Sequence, residues 1–250
     1  MRTAQEVRDL INHFGSNPLQ LLAALDGFYE CPCDLSGKRL GALVGYAGRY
    51  SCADQDLQYV GEVYANFAQA EQWPEVMDYY ADMLISQFSV VLEGCTFCGM
   101  PMGGLAFAQA LARRALGRFI FAEKKVVALA TATSRERSKL FLGRHQVRAG
   151  EQVVLCEDVV NNFSTTNKGV LLVESMGAEV VAIAAMLNRS LDVKDTFHHI
   201  GGDISVVASV YKPFAEYRQD DPLVADEVAK GNVVWKPKDE WDKLTGRKPT

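Results

Sequence analysis

The chain has 250 residues and a formal net charge of −5, with 48% hydrophobic and 23% charged residues. This composition is ordinary for a soluble globular protein, and the length allows one large domain or a core with a smaller appendage. The excess of acidic residues repels phosphate groups, which disfavours a nucleic-acid partner.

Neither a membrane span nor a signal peptide is expected. The longest uncharged run, Gly94–Ala112, contains several glycines and a proline, which argues against a span. The first residues include charged side chains and precede no long apolar stretch. We therefore expect a cytoplasmic protein whose six cysteines are reduced thiols.

Residues 1–85 are expected to form an N-terminal segment that precedes the main domain. Residues 1–26 predict one or two short helices, because apolar residues recur there with the spacing of one helix face. Residues 27–62 are turn-rich and mixed, and a further helix is predicted at about residues 74–87.

Residues 86–210 alternate between apolar runs and helical patterns, which is typical of a parallel α/β sheet. Strands are predicted at residues 88–94, 119–124, 153–158, 180–187 and 204–210, and helices at residues 103–117 and 165–176. Residues 126–147 are ambiguous and could form a mobile loop. The charged tail, residues 211–250, is expected to pack on the N-terminal segment as a cap.

Ligands of an open parallel sheet bind beyond the carboxyl ends of its strands. Three predicted loops lie there, at residues 94–102, 125–147 and 157–166.

The stretch from Arg113 to Arg148 contains ten basic residues and two acids, so its net charge is +8 and the net charge of the rest of the chain is −13. A basic segment in an acidic protein suggests a polyanionic ligand, although a solvated basic face is the simpler interpretation.

The third loop belongs to the stretch VVLCEDVVNNFSTT, residues 153–166. The adjacent carboxylates of Glu157 and Asp158 can each accept a hydrogen bond from one hydroxyl of a sugar diol. An acid pair at a helix N-terminus is the alternative. The polar residues from Asn161 to Thr166 precede a predicted helix, whose free amide groups favour an anion, and an ordinary N-cap needs fewer of them. The stretch therefore predicts a sugar-phosphate site.

This stretch resembles the motif that binds 5-phosphoribosyl 1-diphosphate in type I phosphoribosyltransferases: four apolar residues, two acids, two apolar residues and a short polar turn. Its surroundings look most like orotate phosphoribosyltransferases. The similar segments are GCTFCGMPMGGLAFAQALA (94–112), FIFAEKK (119–125), MLNRS (186–190) and, more loosely, FYECPCDLSGKR (28–39).

The resemblance covers roughly residues 28–210 and implies the type I phosphoribosyltransferase fold. That fold has a central, mainly parallel sheet flanked by helices, with an N-terminal hood, here residues 1–85, and a C-terminal cap, here residues 211–250. It also implies transfer of phosphoribose to a pyrimidine-type base, with orotate as the first candidate and pyrophosphate as the second product.

The resemblance further implies roles for individual residues. Glu157 and Asp158 would bind the ribose hydroxyls, and Asp158 could also assist Mg²⁺, which is otherwise held through substrate oxygens. The 5′-phosphate would contact Asn161, Asn162, Phe163, Ser164 and Thr165. Pyrophosphate would contact the backbone of Gly94, Cys95, Thr96, Phe97, Cys98 and Gly99. The base would contact Arg189, and the hood would contribute Lys38. The departing pyrophosphate would be neutralised by Lys124, Arg135, Arg137 and Lys139, often across a homodimer interface.

Three features depart from the family pattern. Asn161, Asn162 and Phe163 stand where threonine and glycine are usual, and a phenylalanine would be strained if the turn needs a positive φ. Leu35 and Cys98 stand where lysines are common. These departures leave open a non-catalytic regulator that senses a phosphorylated ribose, or a transferase for another base.

The cysteines suggest a weaker alternative, a structural metal site. Two close pairs, Cys31 with Cys33 and Cys95 with Cys98, are the minimum for a Cys₄ zinc site. The first pair has only one intervening residue, however, so small buried thiols are the simpler interpretation.

Overall fold

The computed structural model describes residues 2–52, 55–128 and 137–246. The hood contains α1 (Ala4–Phe14), α2 (Pro18–Ala24), β1 (Phe28–Glu30), β2 (Leu43–Cys52), β3 (Gln55–Gly61), β4 (Val63–Ala65), α3 (Ala68–Glu71) and α4 (Pro74–Ile85). The core contains β5 (Thr96–Gly99), α5 (Gly104–Arg114), β6 (Arg118–Phe121), β7 (Glu123–Ala128), β8 (Arg137–Phe141), β9 (Gln152–Val160), α6 (Ser164–Glu174), β10 (Glu179–Asn188), β11 (Thr196–His199) and β12 (Gly202–Tyr211). The tail contains α7 (Ala225–Ala229), β13 (Val233–Val234) and α8 (Trp241–Thr245).

A six-stranded sheet forms the centre of the fold, in the order β11-β12-β10-β9-β5-β6. All neighbouring strands are parallel except β11 and β12, which are antiparallel. Apolar residues of α1, α2, α4 and α5 pack on one face, and those of α6 pack on the other. The predicted parallel α/β sheet is therefore confirmed, and the two covered faces explain why β9 and β10 are almost continuously apolar.

The first strand of the core lies later in the chain than predicted. Residues 88–94 were expected to form it, but they form bends and turns, and Val91 is 77% exposed. The strand is β5, whose four residues are buried and pair with β6 and β9. Residues 88–94 and residues 96–99 are both short apolar runs, but only residues 96–99 are buried on both faces by the rest of the protein.

Residues 126–147 also differ from the expected loop. β7 and β8 pair as an antiparallel hairpin with Lys124 opposite Leu140, and β8 contacts α6. Leu140 packs against the apolar cluster beneath α6, which anchors the hairpin to the core. Residues 129–136 of this segment lie outside the described residues.

The tail contacts the hood at several points. β13 pairs with β2, and Tyr217 exchanges two backbone hydrogen bonds with Val60. Trp241 is buried beside Tyr64, with ring centroids 6.1 Å apart. These contacts hold residues 211–246 against the strands of the hood. The hood strands β2 and β3 pair as an antiparallel hairpin, which was not predicted from the sequence.

No helix in the described part of the chain combines the length and apolar character needed to cross a membrane.

A pair of glycines allows α5 to approach β9. A Cβ on Gly104 would overlap the carbonyl oxygen of Cys156, and a Cβ on Gly103 would overlap the carboxylate of Asp158. The glycines therefore set the distance between the start of α5 and the carboxyl half of β9, where the predicted acids lie.

We expect Gly104→Ala to lower the free energy of unfolding by about 2–3 kcal/mol, because the backbone of β9 cannot yield to the added methyl group without distortion. Urea unfolding followed by circular dichroism measures this change. Gly48→Ala is the matched control, since its added Cβ would have its nearest neighbour, in Tyr59, at 3.5 Å. Equal stability of the two variants would contradict the close-approach account.

Candidate functional site

The candidate site lies where β5, β9 and β10 end. These strands are parallel neighbours, so their carboxyl ends meet at one edge of the sheet. Glu157 and Asp158 lie near the end of β9, and Arg189 follows β10 directly. The backbone amide of Arg189 donates to the carbonyl oxygen of Val160 at 2.9 Å, which joins the two strand ends.

Glu157 is an acid buried inside the site, with 7% of its surface exposed. Burial raises its pKa to about 8, and the neighbouring charge of Asp158 adds to the effect. A hydrogen bond with the side chain of Thr166, on the first turn of α6, acts in the opposite direction and lowers the pKa. In the absence of a ligand, Glu157 therefore holds a proton more tightly than an exposed glutamate does.

Asp158 faces the start of α5. Its carboxylate occupies the space that a side chain on Gly103 would fill. Burial raises the pKa of Asp158, while backbone hydrogen bonds with Val159 and with its own amide lower it. The acid is thus held beside the first turn of α5, where the helix dipole favours negative charge.

Two hood residues influence this edge of the sheet and were missed from the sequence. The pKa of Glu71, at the end of α3, is raised to about 7 by burial and by the charge of Asp158. Its Oε1 atom is buried and has no hydrogen-bond partner among the described residues. The pKa of Tyr64 is also raised, mainly by burial and further by the charge of Asp158. Glu71 and Tyr64 lie far from Asp158 in the sequence, so no local sequence pattern indicated that they act on this acid.

The turn after β9 brings polar side chains and free amide groups to the same edge. Asn162 Oδ1 accepts from the amide of Ser164 at 3.1 Å, and Ser164 and Thr165 are exposed. Asn162 thus caps the first amide of α6, whereas Phe163, the N-cap residue, makes no capping hydrogen bond with its side chain. The first turn of α6 therefore presents hydroxyl groups and helix-terminus amides, a combination that suits an anion.

Phe163 adopts the left-handed conformation with φ 56° and ψ 15°. This strain costs about 1–2 kcal/mol for a residue with a Cβ. The side chain is 3% exposed and stacks on Phe197, with ring centroids 5.2 Å apart and planes at 14°. Apolar burial offsets the strain. The buried side chain leaves the backbone of Phe163 as the part of the residue for the predicted phosphate contact.

Asn161 and Arg189 are joined by a third residue, Glu216 of the tail. The Oε1 atom of Glu216 accepts from Asn161 Nδ2 at 2.6 Å and from Arg189 Nη2 at 3.2 Å. The guanidinium of Arg189 also lies 4.3 Å from the ring centroid of Tyr46. Glu216 was missed because it lies 27 residues after Arg189 in the chain.

The expectation that the backbone of residues 94–99 forms the pyrophosphate loop is wrong in its position. Residues 96–99 form β5 and are committed to hydrogen bonds with β6 and β9. Gly94 and Cys95 precede the strand, at the opposite edge of the sheet from Asp158. The loop at the carboxyl end of β5 is residues 100–103, and Cys98 is fully buried, so its side chain is not part of a loop.

The predicted basic residues are only partly assembled. Lys124 and Lys139 are exposed on β7 and β8, and the backbone of Arg137 belongs to β8. Arg135 lies outside the described residues. Lys38 is exposed on a turn that Asp34 closes by accepting from the amides of Ser36 and Lys38.

The zinc alternative has no geometric support in the described residues. They contain no group of three or more His, Cys, Asp or Glu side chains that could hold a metal, and the six cysteines are free thiols.

Two curated proteins with similar sequences carry the same name. Orotate phosphoribosyltransferase from a Nitratiruptor species is 32% identical over 130 residues, covering 51% of this chain and 59% of that protein. Orotate phosphoribosyltransferase from Sulfurimonas denitrificans is 30% identical over 166 residues, covering 66% of this chain and 72% of that protein. The matched stretch thus spans less than two thirds of the Nitratiruptor protein.

The fold is shared with a solved structure. The crystal structure of orotate phosphoribosyltransferase from Aeropyrum pernix superposes with a TM-score of 0.50 at 15% identity, covering 77% of this chain and 92% of that one. At this identity the likeness concerns the fold alone. No protein-family model matches the chain.

The raised pKa of Glu157 predicts a pH-dependent stability. Between the ordinary value of 4.5 and about 8, the folded protein binds a proton that the unfolded chain lacks. The contribution of this proton to the free energy of unfolding is complete below pH 4.5 and is lost as the pH rises through 8. The free energy of unfolding then falls by up to about 1.4 kcal/mol per pH unit.

We expect Glu157→Gln to flatten this decline, because the amide cannot ionise. Chemical unfolding at a series of pH values from about 5 to about 9 measures the slope. Glu179→Gln, an exposed acid at the start of β10, is the control and should keep the wild-type slope. An unchanged slope in Glu157→Gln would show that Glu157 is not a buried neutral acid.

Proposed function

Because the chain belongs to the type I phosphoribosyltransferase family, we propose that it transfers a 5-phosphoribosyl group from phosphoribosyl diphosphate to a pyrimidine-type base and releases pyrophosphate. Orotate is the first base to test, since the curated relatives carry that name. The observation that carries the proposal is the acid pair Glu157 and Asp158, which lies near the end of β9 just before the N-terminus of α6.

This arrangement suits the two ends of a phosphorylated ribose. The carboxylates of Glu157 and Asp158 accept hydrogen bonds from the 2′ and 3′ hydroxyls, which replace the water lost on burial. The amides of the first turn of α6, with the hydroxyls of Ser164 and Thr165, receive the 5′-phosphate. The sugar is thereby held at both ends, and its C1 carbon remains open to the loop at residues 100–103.

The reaction breaks the bond between C1 and the pyrophosphate oxygen, and pyrophosphate leaves with the electron pair. A nitrogen of the base supplies the pair for the new C1–N bond and loses its proton. Positive charge develops on the sugar between these events, and the buried carboxylates favour it. Lys124, Arg135, Arg137 and Lys139 are proposed to balance the charge of the departing pyrophosphate.

Mg²⁺ is proposed as the cofactor, and the donor set of the site fits it. Carboxylate oxygens suit this ion, which keeps several water or substrate ligands and needs no protein cage. Asp158, whose carboxylate lies beside Gly103 at the start of α5, is the side chain that would hold the ion. When bound, the ion would neutralise charge on the pyrophosphate.

A second candidate is a regulator that binds a phosphorylated ribose without transferring it. The observation that favours it is the buried, uncharged Cys98 of β5, at a position where the family commonly has a lysine. A site without that positive charge can still bind the ribose but stabilises the departing pyrophosphate less. Such a protein binds the ligand but releases no pyrophosphate.

We expect purified protein with Mg²⁺ and phosphoribosyl diphosphate to release pyrophosphate in the presence of one base from a panel that includes orotate and uracil. Asp158→Asn should reduce the rate about 10- to 100-fold, the value of one or two charge-assisted hydrogen bonds. Chelation of Mg²⁺ should stop release. Glu179→Gln, at the opposite end of β10 from the site, should keep the wild-type rate.

The outcomes separate the two candidates. Binding of phosphoribosyl diphosphate in calorimetry without release from any base would overturn transfer and support the regulator. Absence of both binding and release would reject both.

We also propose that the protein is a homodimer, in which the basic residues of one chain reach the site of the other. Light scattering should give twice the chain mass of 27.6 kDa. A monomer that retains full activity would contradict this arrangement.

A further inference from the structure

Arg189 is a buried cation at the candidate site whose donors are only partly used. It is 9% exposed and follows the end of β10, beside the end of β9 that carries the acid pair. Its Nη2 donates to Glu216, but its Nε is buried and has no hydrogen-bond partner among the described residues. A buried donor without a partner is costly, and a ligand atom is one way to satisfy it.

Glu216 is held in place by the backbone on both sides. The amide of Phe214 donates to the carbonyl oxygen of Arg189 at 3.2 Å, and Tyr217 exchanges hydrogen bonds of 2.8 and 2.9 Å with Val60. The Glu216 carboxylate accepts from Asn161 at 2.6 Å as well as from Arg189. With two anchors and two donors, it is a fixed part of the site and not a freely moving tail group.

This fixed carboxylate limits what Arg189 can bind. Arg189 has five N–H groups, and the Glu216 carboxylate accepts from one on Nη2 and offsets part of the positive charge of the guanidinium. A second carboxylate would place two negative charges on one buried guanidinium, and burial makes such repulsion stronger than in water. Tyr46 covers a face of the guanidinium at 4.3 Å. The N–H groups of Arg189 that Glu216 does not use, Nε among them, can donate to an uncharged oxygen without this repulsion.

We propose that Glu216 is a specificity-determining residue that favours a base presenting an uncharged carbonyl oxygen to Arg189 over a base presenting a carboxylate. The inference rests on the proposed transfer and narrows its base. A carboxylated base such as orotate must compete with Glu216, whereas uracil, the same ring without the carboxylate, need not.

The test compares orotate and uracil as ligands of the wild type, Glu216→Gln and the double variant Glu216→Gln with Arg189→Gln. Calorimetry with phosphoribosyl diphosphate and without Mg²⁺, whose removal is expected to stop turnover, gives the affinities, and pyrophosphate release with Mg²⁺ gives kcat/KM. Glutamine keeps an oxygen that can accept from both Asn161 and Arg189, so the local fold is preserved. Asp220→Asn removes the same charge from the tail, beside Arg218, and is the matched control.

We expect the wild type to bind uracil at least as tightly as orotate. Glu216→Gln should improve orotate about tenfold or more relative to uracil, the value of one charge-assisted hydrogen bond, and the double variant should lose that gain. Asp220→Asn should leave the ratio unchanged.

Preference of the wild type for orotate, or an equal effect of Glu216→Gln on both bases, would overturn the role of Glu216. Failure of every variant to bind either base would overturn it as well. Failure of the proposed transfer is recognised separately, because the binding ratio is measured without turnover and can shift as expected even when no pyrophosphate is released.

Discussion

The site depends on the burial of two adjacent acidic residues at the end of β9. Glu157 and Asp158 lie next to each other, and burial raises the pKa of both carboxyl groups. A fold keeps such acids only if something else recovers the cost of their desolvation. The cost is partly offset here by the hydrogen bond of Glu157 with Thr166. It is also offset by the start of α5, where the glycine pair leaves room for Asp158. In the proposed function, the hydroxyl groups of a ribose supply the rest.

The surrounding structure brings charges from distant parts of the chain to this edge. Glu71 comes from the hood, Arg189 from β10 and Glu216 from the tail. The tail is paired with the hood, between Tyr217 and Val60 and between β13 and β2, and this pairing positions Glu216. The stability of the cap and the charge balance of the site are therefore coupled. The same coupling allows one tail residue to influence which base is accepted.

The sequence alone predicted the parallel sheet, the helices that cover it and the acid pair on β9, because each leaves a local pattern of apolar and polar residues. It misplaced β5, since two short apolar runs compete and only tertiary contacts decide between them. It anticipated strain at Phe163 but not the stacking on Phe197 that offsets it. Glu71 and Glu216 were beyond its reach, because their roles depend on contacts between residues far apart in the chain.

The most direct test of the account is the proton balance of phosphoribosyl diphosphate binding at neutral pH, measured by calorimetry in buffers with different ionisation enthalpies. Glu157, with a pKa of about 8, is mostly protonated in the free protein under this condition. Hydrogen bonds from the ribose hydroxyls stabilise its ionised form relative to its protonated form. We therefore expect the wild type to release about one proton more than Glu157→Gln on binding. Binding with equal proton release by the two proteins would contradict the claim that this buried acid holds the sugar.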